Sequence, residues 1–166
     1  MDTSPPGRAM RRGDRPAEVA VPESIKISAD ESATLLRGGV FGRMAVTAPD
    51  GPHVVPVNYA VVDDAVVVRT APGGVLGLHA PGNIVAFEVD HVDYGTHRGW
   101  SVVARGTVEV VTDPVVLRRI AMGWAPRPWT AGERPLHLSL AWREIRGRRI
   151  GTGWSTLASM PVRRAL

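Results

Sequence analysis

The chain has 166 residues, 44% of them hydrophobic, which is enough for one domain with a packed core and short for two. It contains no cysteine, which excludes a disulfide framework, thiolate metal sites and a cysteine nucleophile, and fits a cytoplasmic protein. A formal charge of +4 and a pI near 10.6 raise nucleic acid as a partner, but the basic residues gather at the two ends and leave the centre nearly balanced. Lys26 is the single lysine among 20 basic residues, a usage that GC-rich coding DNA produces, so charge distribution argues against nucleic-acid binding.

Residues 1–22 are rich in Pro, Gly and charge and predict a disordered tail. They contain no apolar stretch suited to a signal peptide, and no run in the chain approaches a membrane span, so no membrane partner is expected. Order should begin near Ile25. Ser28 with Glu31 is a capping box, opening a short helix through Ala33, Leu35 and Leu36 that stops at Gly38-Gly39. Residues 40–47 and 53–62 read as strands around a Pro/Gly turn, and 65–70 as the next strand after a tight Asp63-Asp64 turn. Residues 72–82 have room for one helical turn. Strands are expected at 83–91 and 99–112, the second with a bulge or corner at Gly106. Asp113-Pro114 opens a helix through Val116, Leu117, Ile120 and Met122. A loop over 125–135, punctuated by prolines, precedes a terminal strand pair, 136–145 and 148–154, joined at Arg146-Gly147. The pattern is mainly β with a few helices, one domain over 23–154 forming a six- to seven-stranded antiparallel barrel, with a second tail at 155–166.

Several residues are candidates for binding. Gly73, Gly74 and Gly77 follow directly on Arg69-Thr70, so backbone N–H groups, a hydroxyl and a guanidinium can converge there on a phosphate. The competing account is a strand-terminal arginine beside a β-favouring threonine. Pro56 inside a strand requires an edge, a bulge or an unpaired position. Trp100 is equally suited to anchoring one end of the barrel, and Trp124 and Trp129 to packing. His53, His79, His91, His97 and His137 have no metal-ligand spacing, so no metal is expected, and no nucleophile elbow is present.

The order DGPHVVPVNYAV, VVVRT, a glycine loop, NIVAFEVD and GWSVVARGTVEVV resembles the pyridoxamine 5'-phosphate oxidase-like split-barrel superfamily, in its nitroimidazole-resistance-protein-like branch, from about Ser28 to Ile150. The segment RPWTAGERPLHLSLAWREIRGRRI is similar to the one that closes the barrel in that family. The resemblance implies a split β-barrel homodimer with FMN at the subunit interface. It implies a phosphate near Arg69, Thr70 and Gly74, the flavin ring along Pro56, Val57 and Asn58, and Trp100 and Ser101 reaching the other subunit's cofactor. It also implies an oxidoreductase carrying electrons from a nicotinamide to a small acceptor such as a nitroaromatic or quinone, with the catalytic acid or base unassigned. Where relatives carry a basic residue in the glycine loop, this chain has Gly74, Val75, Leu76 and Gly77. The loss of one charge-assisted contact, ~1.5–3 kcal/mol, lowers affinity roughly tenfold to a hundredfold. The alternatives are a deazaflavin or haem in the same groove, or a cofactor-free binding or regulatory barrel. Genuine pyridoxamine phosphate oxidation is disfavoured, because no arginine and histidine set for that substrate's phosphate is evident near the end of the chain.

Overall fold

The computed structural model describes residues 24–151 except 124 and 130. The expected tails, Trp124 and Trp154 therefore lie outside the described residues.

The local signals act as their chemistry dictates. β1 (Ile25–Ile27) runs into α1 (Ala29–Gly38), whose N-cap Ser28 accepts the Glu31 backbone N–H at 3.2 Å. Glu31 does not complete the capping box; its carboxylate pairs with Arg149 instead. β2 (Phe41–Ala48) and β3 (Gly51–Val62) form a hairpin, and β4 (Ala65–Thr70) follows β3 through Asp63 and Asp64. Both aspartates have positive φ, 49° and 59°, as a type I′ turn requires, and their carboxylates take Arg119 and Arg37 respectively. α2 (Val75–His79) is a single turn and a half, followed by β5 (Ile84–Asp93) and β6 (Arg98–Val110). α3 (Pro114–Met122) starts at Asp113, which accepts the Val115 N–H at 2.7 Å, and β7 (Leu136–Ile150) ends the described chain.

Seven strands among the described residues make one antiparallel sheet, in the order β1-β7-β4-β3-β2-β5-β6, and β6 pairs again with β7. Six of them thus close into a ring, and β1 adds itself beside the second half of β7 at Ile25↔Arg149 to Ile27↔Gly147. The β6–β7 register shifts between Arg105 and Gly106, the predicted bulge. Gly106 is required there, since a Cβ would stand 2.2 Å from the Ala141 carbonyl oxygen.

One expectation is overturned. The strand pair joined at Arg146-Gly147 is a single strand, β7, running straight through both residues. Gly147 serves packing: a side chain there would meet Ser32 Oγ at 2.4 Å and Ile27 Cβ at 3.0 Å, so its absence lets α1 and β1 lie against β7.

The barrel is filled by Trp100, Tyr59, Phe87, Met44, Val66, Val68, Val102, Leu138 and Leu140, all buried, with Leu36 closing one side from α1. Burial of each large side chain contributes about 1.5–3 kcal/mol. Tyr59 meets Phe87 edge-on at 4.8 Å, and its hydroxyl donates to the Leu36 carbonyl at 2.5 Å, tying the barrel to the end of α1.

Candidate functional site

Alternation along the strands sorts the candidates between the two faces of the sheet. Tyr59 and Val68 are opposite one another and belong to the core; Val57 packs against the same core from two residues earlier on β3. Asn58 on β3 and Arg69 on β4 therefore project from the outer face. His137 of β7 is the cross-strand partner of Arg69 and projects beside it.

The proline-rich loop between α3 and β7 is fastened over this face by two long-range bonds. The Trp129 backbone N–H donates to Asn58 Oδ1 at 2.9 Å, and Arg69 Nε donates to the Arg134 carbonyl at 3.0 Å. Asn58 Nδ2 also donates to the Val40 carbonyl at 3.3 Å, so the amide is used from both ends. The Trp129 indole lies parallel to the Phe41 ring, centroids 5.3 Å apart, and Trp129 as a whole remains 71% exposed. Between loop and sheet is an open groove of about 420 Å³, lined by Arg69, Pro128, Gly132, Glu133, Arg134 and Pro135.

Arg69 is the chemical centre of that groove. Its Nε is committed to the loop, whereas among the described residues no carboxylate lies within ion-pairing distance of its guanidinium. A half-buried guanidinium fork without a counter-charge matches a phosphate or carboxylate, which accepts two N–H bonds in one plane. His137 is held by its own neighbour: Nδ1 lies 3.1 Å from the Pro135 carbonyl. Burial and, to a lesser degree, the charge of Arg69 hold its pKa below the usual histidine value, against the opposing effect of the Pro135 bond.

The other sequence candidates are placed as follows. Pro56 is exposed on β3, opposite Arg43. Thr70 is nearly buried, its hydroxyl facing Gly74, which caps α2 without a side-chain bond. Among the loop glycines only Gly77 is sterically required, since a Cβ would come within 2.4 Å of the Ala71 carbonyl oxygen; Gly73 and Gly74 have room. The glycine cluster thus folds the chain tightly on itself at Gly77. Trp100 is buried in the barrel with its ring near His91, and Ser101 lies opposite Asp90 and Arg148 on β6's other face. The structure therefore brings Asn58 and Arg69 together beneath the loop and sets Trp100 and Ser101 apart from them on β6. His137 and Arg134 were not singled out from sequence; the alternation of β7, had it been phased against β4, would have placed His137 beside Arg69.

Toward β5, the outer face carries a charged cluster in which Arg43 Nη1 donates to Asp90 at 2.5 Å and to Glu88 at 2.9 Å. Burial pushes the Glu88 carboxyl above its usual pKa, against the opposing pull of Arg43.

Comparison with known proteins gives this geometry a context. Residues 28–149 match the model of the pyridoxamine 5'-phosphate oxidase family. An uncharacterised protein of Mycobacterium tuberculosis is 33% identical over 102 residues, spanning 58% of this chain and 67% of that protein. The structure of an FAD-binding protein from Mycobacterium smegmatis superposes with a TM-score of 0.64 at 30% identity, covering 75% of this chain and 97% of its own. A protein of Bacteroides thetaiotaomicron proposed to be a 5-nitroimidazole antibiotic resistance protein shares the fold, with a TM-score of 0.61 at 18% identity over 76% of this chain and 87% of that one.

Proposed function

The chain belongs to the pyridoxamine 5'-phosphate oxidase family, and from that premise we propose that it is a flavin-dependent oxidoreductase whose Arg69 groove receives the phosphate of FMN. The observation that carries this reading is the Arg69 guanidinium, half-buried in an open groove and ion-paired to no carboxylate among the described residues. The likeness to an FAD-binding protein of M. smegmatis supports the flavin class. A phosphate at Arg69 leaves the planar end of the ligand within the reach of β3 and of the Trp129–Phe41 stack, whose open indole face suits an aromatic ring.

When bound, a flavin supplies a ring able to accept and pass on a hydride or single electrons. The chain's own residues bind, orient and shield. Arg69 fixes the anionic end, Asn58 holds the loop by the Trp129 N–H, and the loop limits water over the groove. The small acceptor is a nitroaromatic or quinone and the reductant a nicotinamide. A homodimer is part of the reading: Phe41, Val54 and Ile84 are large apolar side chains exposed on adjacent strands β2, β3 and β5, and a second copy would cover them.

The test is an absorbance and fluorescence scan of protein purified without added cofactor, followed by titration with FMN and FAD. A bound flavin spectrum or sub-micromolar FMN affinity is the expected result. Protein that is colourless and indifferent to both flavins overturns the proposal, and a haem or deazaflavin spectrum replaces the ligand while keeping the groove.

A further inference from the structure

We infer that Arg69 and His137 together form a proton-linked anion site, in which binding of a dianion beside Arg69 draws one proton onto the His137 imidazole. This rests on the reading of Arg69 as the phosphate-recognising group.

Arg69 and His137 are directly paired residues on neighbouring strands, and their side chains rise from the same outer face. The Pro135 carbonyl is an acceptor only, so the His137 Nδ1 beside it carries the hydrogen and donates. The tautomer is thereby fixed, and any second proton must enter at Nε2. In the free protein the imidazole is half-buried with a guanidinium as its cross-strand neighbour, two conditions that oppose a positive charge. The downward shift of its pKa has those same two causes.

On β4 the charged neighbour is Arg69; in the loop Glu133 and Arg134 line the groove; on β6 Glu109 lies opposite Ser139, two residues along β7. None of the carboxylates is ion-paired to Arg69 or His137 among the described residues. A dianion seated on Arg69 would therefore reverse the local field at His137, replacing a net repulsion of the imidazolium with a net attraction. Binding and proton uptake are then linked, and affinity rises as pH falls through the histidine range. His137 here is a positioning and charge-adapting group; no direct contact with the ligand is required.

The test is calorimetric titration at pH 7 in buffers of different ionisation enthalpy, using FMN and, separately, inorganic sulfate, which remains a dianion across the range. The expected result for the wild-type protein is net uptake of up to one proton per anion, with FMN affinity several-fold greater at pH 6 than at pH 8. His137→Asn keeps a side-chain amide beside Pro135 but cannot titrate; it should bind with no uptake beyond that of the ligand itself and with a flat pH profile. His137→Gln is the second variant should Asn perturb folding, and NMR titration of the wild-type imidazole with and without sulfate reads the same linkage without mutation. FMN binding with identical uptake in wild type and variant overturns this inference and leaves the flavin reading intact. Sulfate binding with uptake but no FMN binding does the reverse. Failure of both anions to bind overturns both.

Discussion

Gly147→Ala should destabilise the fold through a contact that can be followed atom by atom. The new methyl would stand 2.4 Å from Ser32 Oγ, 3.0 Å from Ile27 Cβ and 3.2 Å from Ile27 Cδ1. Ser32 is fully buried, and its hydroxyl donates to the Ser28 carbonyl at 2.7 Å, so it can swing away only by giving up that bond. Overpacking of this kind costs about 1–3 kcal/mol, and the lower entropy of an unfolded alanine returns about 0.4–1 kcal/mol. A net loss of ~1–2 kcal/mol corresponds to a midpoint roughly 2–8 °C lower. Ser32→Ala alone should cost ~0.5–1.5 kcal/mol from the lost hydrogen bond. In the double variant the closest clash is gone while the Ile27 contacts persist, so the two effects should fall short of additivity by at least ~0.5 kcal/mol. Urea and thermal denaturation of the four proteins measure the cycle. A Gly147→Ala protein as stable as wild type, or additive effects, would show that α1 and β1 do not press on β7 as described.

Arg69→Met should weaken FMN binding roughly tenfold to a hundredfold, the worth of a charge-assisted phosphate contact, with the protein still folded; fluorescence titration reads it, and unchanged affinity places the phosphate elsewhere. Tyr59→Phe leaves the buried Leu36 carbonyl without its 2.5 Å donor and should cost ~1–2 kcal/mol in urea denaturation; a neutral outcome means water replaces the hydroxyl. Glu88 is held above its usual pKa by burial, so the folded state binds the extra proton and the associated stability is present at and below about pH 4.5, then lost as pH rises through the folded value. Glu88→Gln should therefore flatten the melting temperature's dependence on pH above 4.5, and an identical pH profile contradicts the burial assignment.

The parts of the fold written in short-range chemistry were legible. Ser28 and Asp113 cap helices, Asp63-Asp64 turn a hairpin, and Gly106 marks the bulge, because each depends on residues only a few positions apart. Gly147 misled for the opposite reason: nothing near it in sequence tells a turn glycine from one making room for Ser32, a residue more than a hundred positions earlier. The candidate site divides likewise. Arg69 was visible beside its glycines, but the loop that covers it is held by the Trp129 N–H and the Arg134 carbonyl, main-chain groups that carry no residue-type signal. Trp100 was open between anchor and ligand contact from sequence, and its side chain is buried in the barrel.

β7 also has a temporal consequence. It is the last strand of the described chain, and it supplies the partner for β4, for β6 and for β1. During synthesis, at about 5–20 residues per second, the earlier strands must wait with two unpaired edges until residues 136–150 emerge. Such late, distant pairing makes for slow folding and exposes sticky valine-rich edges to other chains in the interval. A nascent chain stalled before Leu136 should bind a holdase chaperone, and one stalled well beyond Ile150 should release it.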